Sequence, residues 1–135
     1  MKDFKVESKI VKIPNTDERI FKFLSDFRNF DRFMPPDVQN WQSEEDTCSF
    51  TIKGQNAGLQ FVQKEPYNTL KITGSSQTPY NFYFWIQLKH LGNYETALKM
   101  TIKAELNMIM RTAVKKPLKK FLDQLADQLK LIPYP

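Results

Sequence analysis

The chain is 135 residues long, 41% hydrophobic and 26% charged, and its 20 Lys and Arg outnumber its 15 Asp and Glu for a formal charge of +5. That length fits one domain over residues 1–135 with a single core, and no apolar run approaches the roughly eighteen residues of a membrane-spanning helix. The lysines are spread along strand edges and the back of the last helix, and the aromatics fall at alternating positions that a sheet buries, so the basic excess points to no nucleic-acid surface.

With no basic, apolar leader at its start and Cys48 as its one cysteine, the chain is expected in the cytoplasm. Phe4, Val6, Ser8 and Ile10 alternate with Lys5, Glu7 and Lys9, the period-two pattern of a strand from Phe4 to Ile13 with one wet face. Pro14 ends it. Asn15 or Thr16 then offers an N-cap, Asp17 and Glu18 suit the positive end of a helix, and Ile20, Phe21 and Leu24 make its apolar face. A second short helix is predicted from Asp26 to Phe33, with Phe27, Phe30 and Phe33 on one side and Pro35 and Pro36 as its stop.

From Val38 onward the pattern changes to strands bounded by turn residues: Val38–Ser43, Thr47–Lys53, Ala57–Lys64, Thr69–Ser75, Tyr80–Leu91 and Tyr94–Glu105. No helix is available for a parallel crossover, so these form an antiparallel meander. Phe50, Leu59, Phe61, Phe82, Phe84 and Met100 fall on the inward face. Tyr83 and Trp85 point the other way, towards Lys99, Thr101 and Lys103 of the last strand.

The segment from Leu106 to Ile132 organises the rest. At about 100° per residue, Val114, Leu118, Phe121, Leu122, Leu125, Leu129 and Ile132 share one arc, while Lys116, Lys119, Lys120, Asp123, Asp127 and Lys130 crowd the other side. Pro117 lacks an N–H and opposes the carbonyl of Ala113. Either one helix bends there, or a shorter segment from Asn107 to Lys115 precedes a helix that starts near Lys116.

The element order is thus strand, two short helices, six strands, long helix. In that order the chain resembles the SRPBCC superfamily, also described as START-like or Bet v 1-like, which includes polyketide cyclase and dehydrase-like proteins. The resemblance rests on Val6 to Pro14 followed by Asp17 to Phe27, on the Glu65-Pro66 turn, and on the amphipathic run from Pro117 and Leu118 to Leu131. It implies an α+β helix-grip fold, in which a curved antiparallel sheet of about seven strands wraps the C-terminal helix and the two short helices close one end. It also implies an apolar cavity between sheet and helix that holds a hydrophobic small molecule, without implying one activity.

The residues assign no catalytic group, metal or cofactor. His90 is the one histidine and reads as a turn residue, Cys48 has no partner for a reactive thiolate and reads as a core hydrophobe, and no phosphate loop or nucleophile elbow occurs. The acidic run Glu44, Glu45, Asp46 reads as a hairpin tip. Cavity candidates are Phe30, Phe33, Phe50, Phe61, Phe82, Phe84, Met100, Phe121 and Leu125, with Ser8 and Thr96 as polar groups able to orient a ligand. So many inward aromatics leave open whether they enclose a pocket or fill it. Three roles are compatible with this pattern: a binder or carrier of an apolar small molecule, a cyclase or dehydratase-like enzyme using a polar pocket residue, or an interaction module, a homodimer included, working through Tyr83 and Trp85. For the carrier, a ligand uncharged at its buried end and bound with little sensitivity to salt is expected.

Overall fold

The computed structural model describes residues 4–75 and 81–135. Its first strand is split. β1 (Phe4–Glu7) and β2 (Val11–Ile13) both pair antiparallel with the last strand and flank a break. Ser8 holds the ladder across it: its N–H donates to the Met100 carbonyl at 2.8 Å, and its Oγ accepts from the Met100 N–H at 2.9 Å. The predicted alternation therefore holds through Ser8 and then slips. Ile10, expected inward, is 65% exposed, and Val11 and Ile13 are buried instead, as a one-residue slip requires.

α1 (Asp17–Leu24) is capped by Thr16, whose Oγ1 accepts from the Arg19 N–H at 3.2 Å. The second predicted helix is a 3₁₀ helix, Phe27–Arg32, with Asp26 as its cap. Three residues per turn stack Phe27, Phe30 and Phe33 along one line, and all three are buried.

The meander comprises β3 (Val38–Ser43), β4 (Thr47–Ile52), β5 (Gln55–Glu65), β6 (Thr69–Gly74), β7 (Phe82–Gly92) and β8 (Glu95–Ala104). Tyr80, where the predicted strand begins, lies outside the described residues. The sheet order is β1-β8-β7-β6-β5-β4-β3 with β2 beside β1 on β8, one strand more than predicted because the first is divided. Two sites of left-handed backbone shape the outer strands. Asn40, at φ 56°, marks a register shift of β3 against β4 between Gln39 and Gln42, a bulge that turns Val38 and Trp41 to the same face. Lys53 and Gly54, at φ 49° and 77°, make the two-residue turn between paired Ile52 and Gln55. Left-handed backbone of this kind costs a residue with a side chain about 1–2 kcal/mol and suits Asn or Gly, so Lys53 is held at some expense.

α2 (Met108–Leu131) runs unbroken through Pro117, so the single helix is the arrangement adopted. Asn107 caps it, its Oδ1 accepting from the Met110 N–H at 2.9 Å. Its predicted apolar arc is buried unevenly. Leu122, Leu125, Ala126 and Leu129 are buried, whereas Val114, Leu118 and Phe121 are only half-buried. Each full burial of a leucine is worth about 1.5–3 kcal/mol, so the C-terminal half anchors the helix. Beyond it Tyr134 is buried, its hydroxyl donating to the Leu129 carbonyl and its ring meeting Phe23 edge-on at 5.3 Å. Burial pushes the pKa of that phenol well above its ordinary value. This clasp between α1 and the helix end closes one side of the grip, and the whole is the expected helix-grip α+β architecture.

Candidate functional site: an apolar cavity under the N-terminal half of the long helix

Strands β7 and β8 are long enough to serve two purposes, and their register divides them. Ile86 pairs with Met100 and Leu88 with Leu98, and all four are buried in the core. Two residues further along, Phe84 pairs with Ile102, and beyond it Phe82 pairs with Ala104. There the helix half above is only half-buried, and a cavity of about 650 Å³ opens, within the roughly 300–1,000 Å³ typical of small-molecule sites.

Phe82, Phe84, Ile102 and Ile72 form its floor on the sheet, and Val114, Leu118, Phe121 and Leu125 form its roof on α2. The side wall comes from Phe30 and Met34 of the short-helix region together with Trp41 and Phe50 of the outer strands. That wall is a rigid aromatic stack. Trp41 lies nearly parallel to Phe50 at 5.5 Å and to Phe30 at 6.1 Å, and its indole N–H donates to the Phe27 carbonyl at 3.3 Å. Such offset contacts add roughly 0.5–1.5 kcal/mol each beyond their buried area. The lining also includes Asp37, Lys53, Gln55, Lys120 and Gln124, all exposed, so the charged groups sit on the rim and the body is apolar.

Of the residues singled out from the sequence, the structure brings Phe30, Phe50, Phe82, Phe84, Phe121 and Leu125 together around this space. Phe33, Phe61 and Met100 fall outside the lining. Phe33 is buried behind Phe30 at 4.9 Å, Phe61 stacks on Phe27 at 4.2 Å, and Met100 lies in the packed half of β8. Lys64 fixes that corner: its ammonium stands 4.7 Å from the Phe61 ring centre, donates to the Ser25 carbonyl at 2.8 Å and pairs with Asp46. Ser8 and Thr96 do not face a ligand. Ser8 is spent on the ladder, and the Thr96 hydroxyl donates to the Asn15 carbonyl at 2.9 Å.

Trp41 and Met34 are the lining residues that the pattern hides. Val38 and Trp41 are three apart, out of phase in a regular strand, and only the bulge at Asn40 makes both inward. A left-handed-tolerant Asn within a strand is the signal that marks such a bulge.

Other candidates are accounted for by their surroundings. Cys48 is buried, and desolvation pushes its thiol up to about 12, leaving no thiolate near neutral pH. On the opposite sheet face Tyr83 and Trp85 carry lysine caps, with the Lys71 ammonium 4.4 Å and 5.7 Å from the two ring centres and that of Lys103 6.0 Å from Trp85. Among the described residues no three His, Cys, Asp or Glu side chains gather as metal ligands. No helix there is long and apolar enough to cross a membrane.

No protein-family model matches the sequence, and no curated protein matches it. Solved structures do match the fold. A START superfamily protein from Mycobacterium smegmatis superposes with a TM-score of 0.72 at 16% identity, covering 96% of this chain and 95% of that one. Norcoclaurine synthase from Thalictrum flavum, solved with dopamine and hydroxybenzaldehyde, gives 0.74 at 11% identity, covering 96% and 85%. A protein from Bacillus thuringiensis gives 0.74 at 8% identity, covering 93% and 96%.

This is the START-like, Bet v 1-like fold. At such identities the likeness concerns the START-like framework alone: a sheet gripping a helix, here with a cavity under the helix's less buried half. What occupies that cavity is a question for its own lining.

Proposed function

We propose that this START-like protein binds a hydrophobic small molecule between its sheet and α2, as a cytoplasmic carrier or receptor. One observation carries the reading: the body of the cavity is walled by aromatic and aliphatic side chains, while its lining charges, Asp37, Lys53 and Lys120, are exposed at the rim. An apolar ligand entering there gains about 25 cal/mol per Å² of buried apolar area before the costs of binding. A general acid or base must lie within hydrogen-bond reach of the reacting atoms, and titratable groups held at the rim support binding over the cyclase or dehydratase reading. The norcoclaurine synthase neighbour keeps enzyme chemistry within the range of the fold, but fold alone assigns none.

The test is to recover the protein from cells, extract it for mass spectrometry, and titrate the stripped form with fatty acids, isoprenoids and aromatic polyketide-like compounds. Co-purification or saturable binding of an apolar compound, weakened by Phe84→Asp in a variant that still folds, is the expected result. If nothing apolar co-purifies or binds, the reading is wrong.

A further inference from the structure

The rim of the cavity is unequal in charge, and its two cations come from opposite walls. Lys53 stands on the turn between β4 and β5, and Lys120 on α2, with Asp37 as the one carboxylate in the lining. Among the described residues neither lysine has an ion pair or a side-chain hydrogen bond. Lys64 is engaged with Asp46 and the Ser25 carbonyl, Lys9 with Asp127 and Lys99 with Glu7, whereas Lys12, Lys89, Lys115, Lys116 and Lys130 share the unpaired state among the described residues but lie outside this lining. Lys53 is also the residue kept in left-handed backbone at a turn where Asn or Gly sits without strain. Strain retained beside a binding cavity is a pointer to use.

Resting on the apolar-ligand reading above, we infer that the ligand is an amphiphile whose anionic head lies at the mouth between Lys53 and Lys120 while its apolar body fills the cavity. The body of the site cannot take the charge, because a carboxylate or phosphate buried among Phe30, Trp41, Phe84 and Phe121 would lose its hydration without a partner. At the rim it stays in water and meets two flexible cations whose stems reach over apolar surface. Carboxylate, phosphate and sulfate heads share this chemistry. The inference departs from the salt-insensitive binding expected of a wholly neutral ligand.

The experiment is calorimetric titration of the stripped protein with decanoate, decyl phosphate, decanol and decyltrimethylammonium, at low and high salt, with circular dichroism to verify that each variant is folded. The anions should bind about three- to tenfold more tightly than decanol, the gain expected of two exposed ion pairs. High salt or the double variant Lys53→Gln with Lys120→Gln should erase the advantage of the anions over decanol. The order of decanoate and decyl phosphate tells a carboxylate head from a phosphate head, either order being support. Equal affinities for decanoate and decanol, or tightest binding of the cation, overturn the anionic head and leave the apolar-ligand reading standing. Absence of binding across the series overturns both.

Discussion

The backbone N–H of Lys9, released by the break between β1 and β2, donates to the Asp123 carboxylate of α2 at 2.7 Å. The same carboxylate accepts from the Lys119 ammonium at 3.2 Å, and the Lys9 ammonium reaches Asp127 at 2.6 Å. The discontinuity in the first strand is thus where the long helix is tied to the sheet. Partial burial opposes charge on Asp123, but the hydrogen bonds from Lys9 and Lys119 outweigh it and hold the carboxyl below its ordinary range.

A carboxyl depressed on folding contributes stability above its unfolded value of about 3.9 and loses it as pH falls through the folded value. Asp123→Asn should therefore cost about 1 kcal/mol at pH 7. The gap to wild type should narrow steadily from about pH 4 downward. Urea unfolding of both proteins across that range measures it, and a gap that ignores pH would show that the carboxylate charge is not its source.

Neighbouring residues of α2 separate stability from binding. Leu122 is fully buried, and Leu122→Ala should cost about 2–5 kcal/mol. Phe121 lines the cavity and is half-buried, so Phe121→Ala should destabilise less and weaken an apolar ligand more. Thermal unfolding and ligand titration on the two variants decide this, and the reverse ranking would mean that the helix phase has been assigned wrongly.

Lys53→Asn should stabilise the fold by about 0.5–1 kcal/mol, because Asn tolerates the left-handed conformation better than lysine. Chemical denaturation is the check. A loss of stability would mean that the Lys53 side chain makes a favourable contact that outweighs the backbone strain.

Trp85→Ala should leave the protein folded, at a cost of about 1 kcal/mol from lost lysine–ring contacts and packing. With lysines over both rings, the Tyr83 and Trp85 face is a solvated one, and sedimentation should not change. A dimer present in wild type and lost in the variant would instead make this face a self-association surface.

Much of the framework was legible because turn chemistry and periodicity agree. Glu44 to Asp46, Pro66 to Asn68 and Gly92 with Asn93 bound strands that lie within two residues of their expected limits. The misses share a cause in tertiary register. Ile10 and Val11 are both apolar, so neither reveals on its own where the first strand slips. Phe84 and Met100 look alike as inward residues, and only the position of the docked half of α2 makes one a cavity wall and the other core. Lys53 and Lys120 are surface lysines in any linear reading; their common rim exists only after the sheet has curled round the helix.

Pro117 gives α2 a division of labour. Its missing N–H removes the helical bond to the Ala113 carbonyl, at the boundary between a half secured by Leu122, Leu125 and Leu129 and a half whose Met108 and Ile109 are 78% and 81% exposed. The opening segment of the helix is therefore a weakly fastened flap over the cavity, and the remainder is a fixed post. Amide hydrogen exchange should be fast before Pro117 and slow after Phe121, and a bound ligand should slow the first set while leaving the second nearly unchanged. Uniform protection along the helix would mean that the flap is as firmly seated as the post. Fastened in this way, the helix would let one wall of the cavity loosen while the core beneath Leu122, Leu125 and Leu129 stays packed.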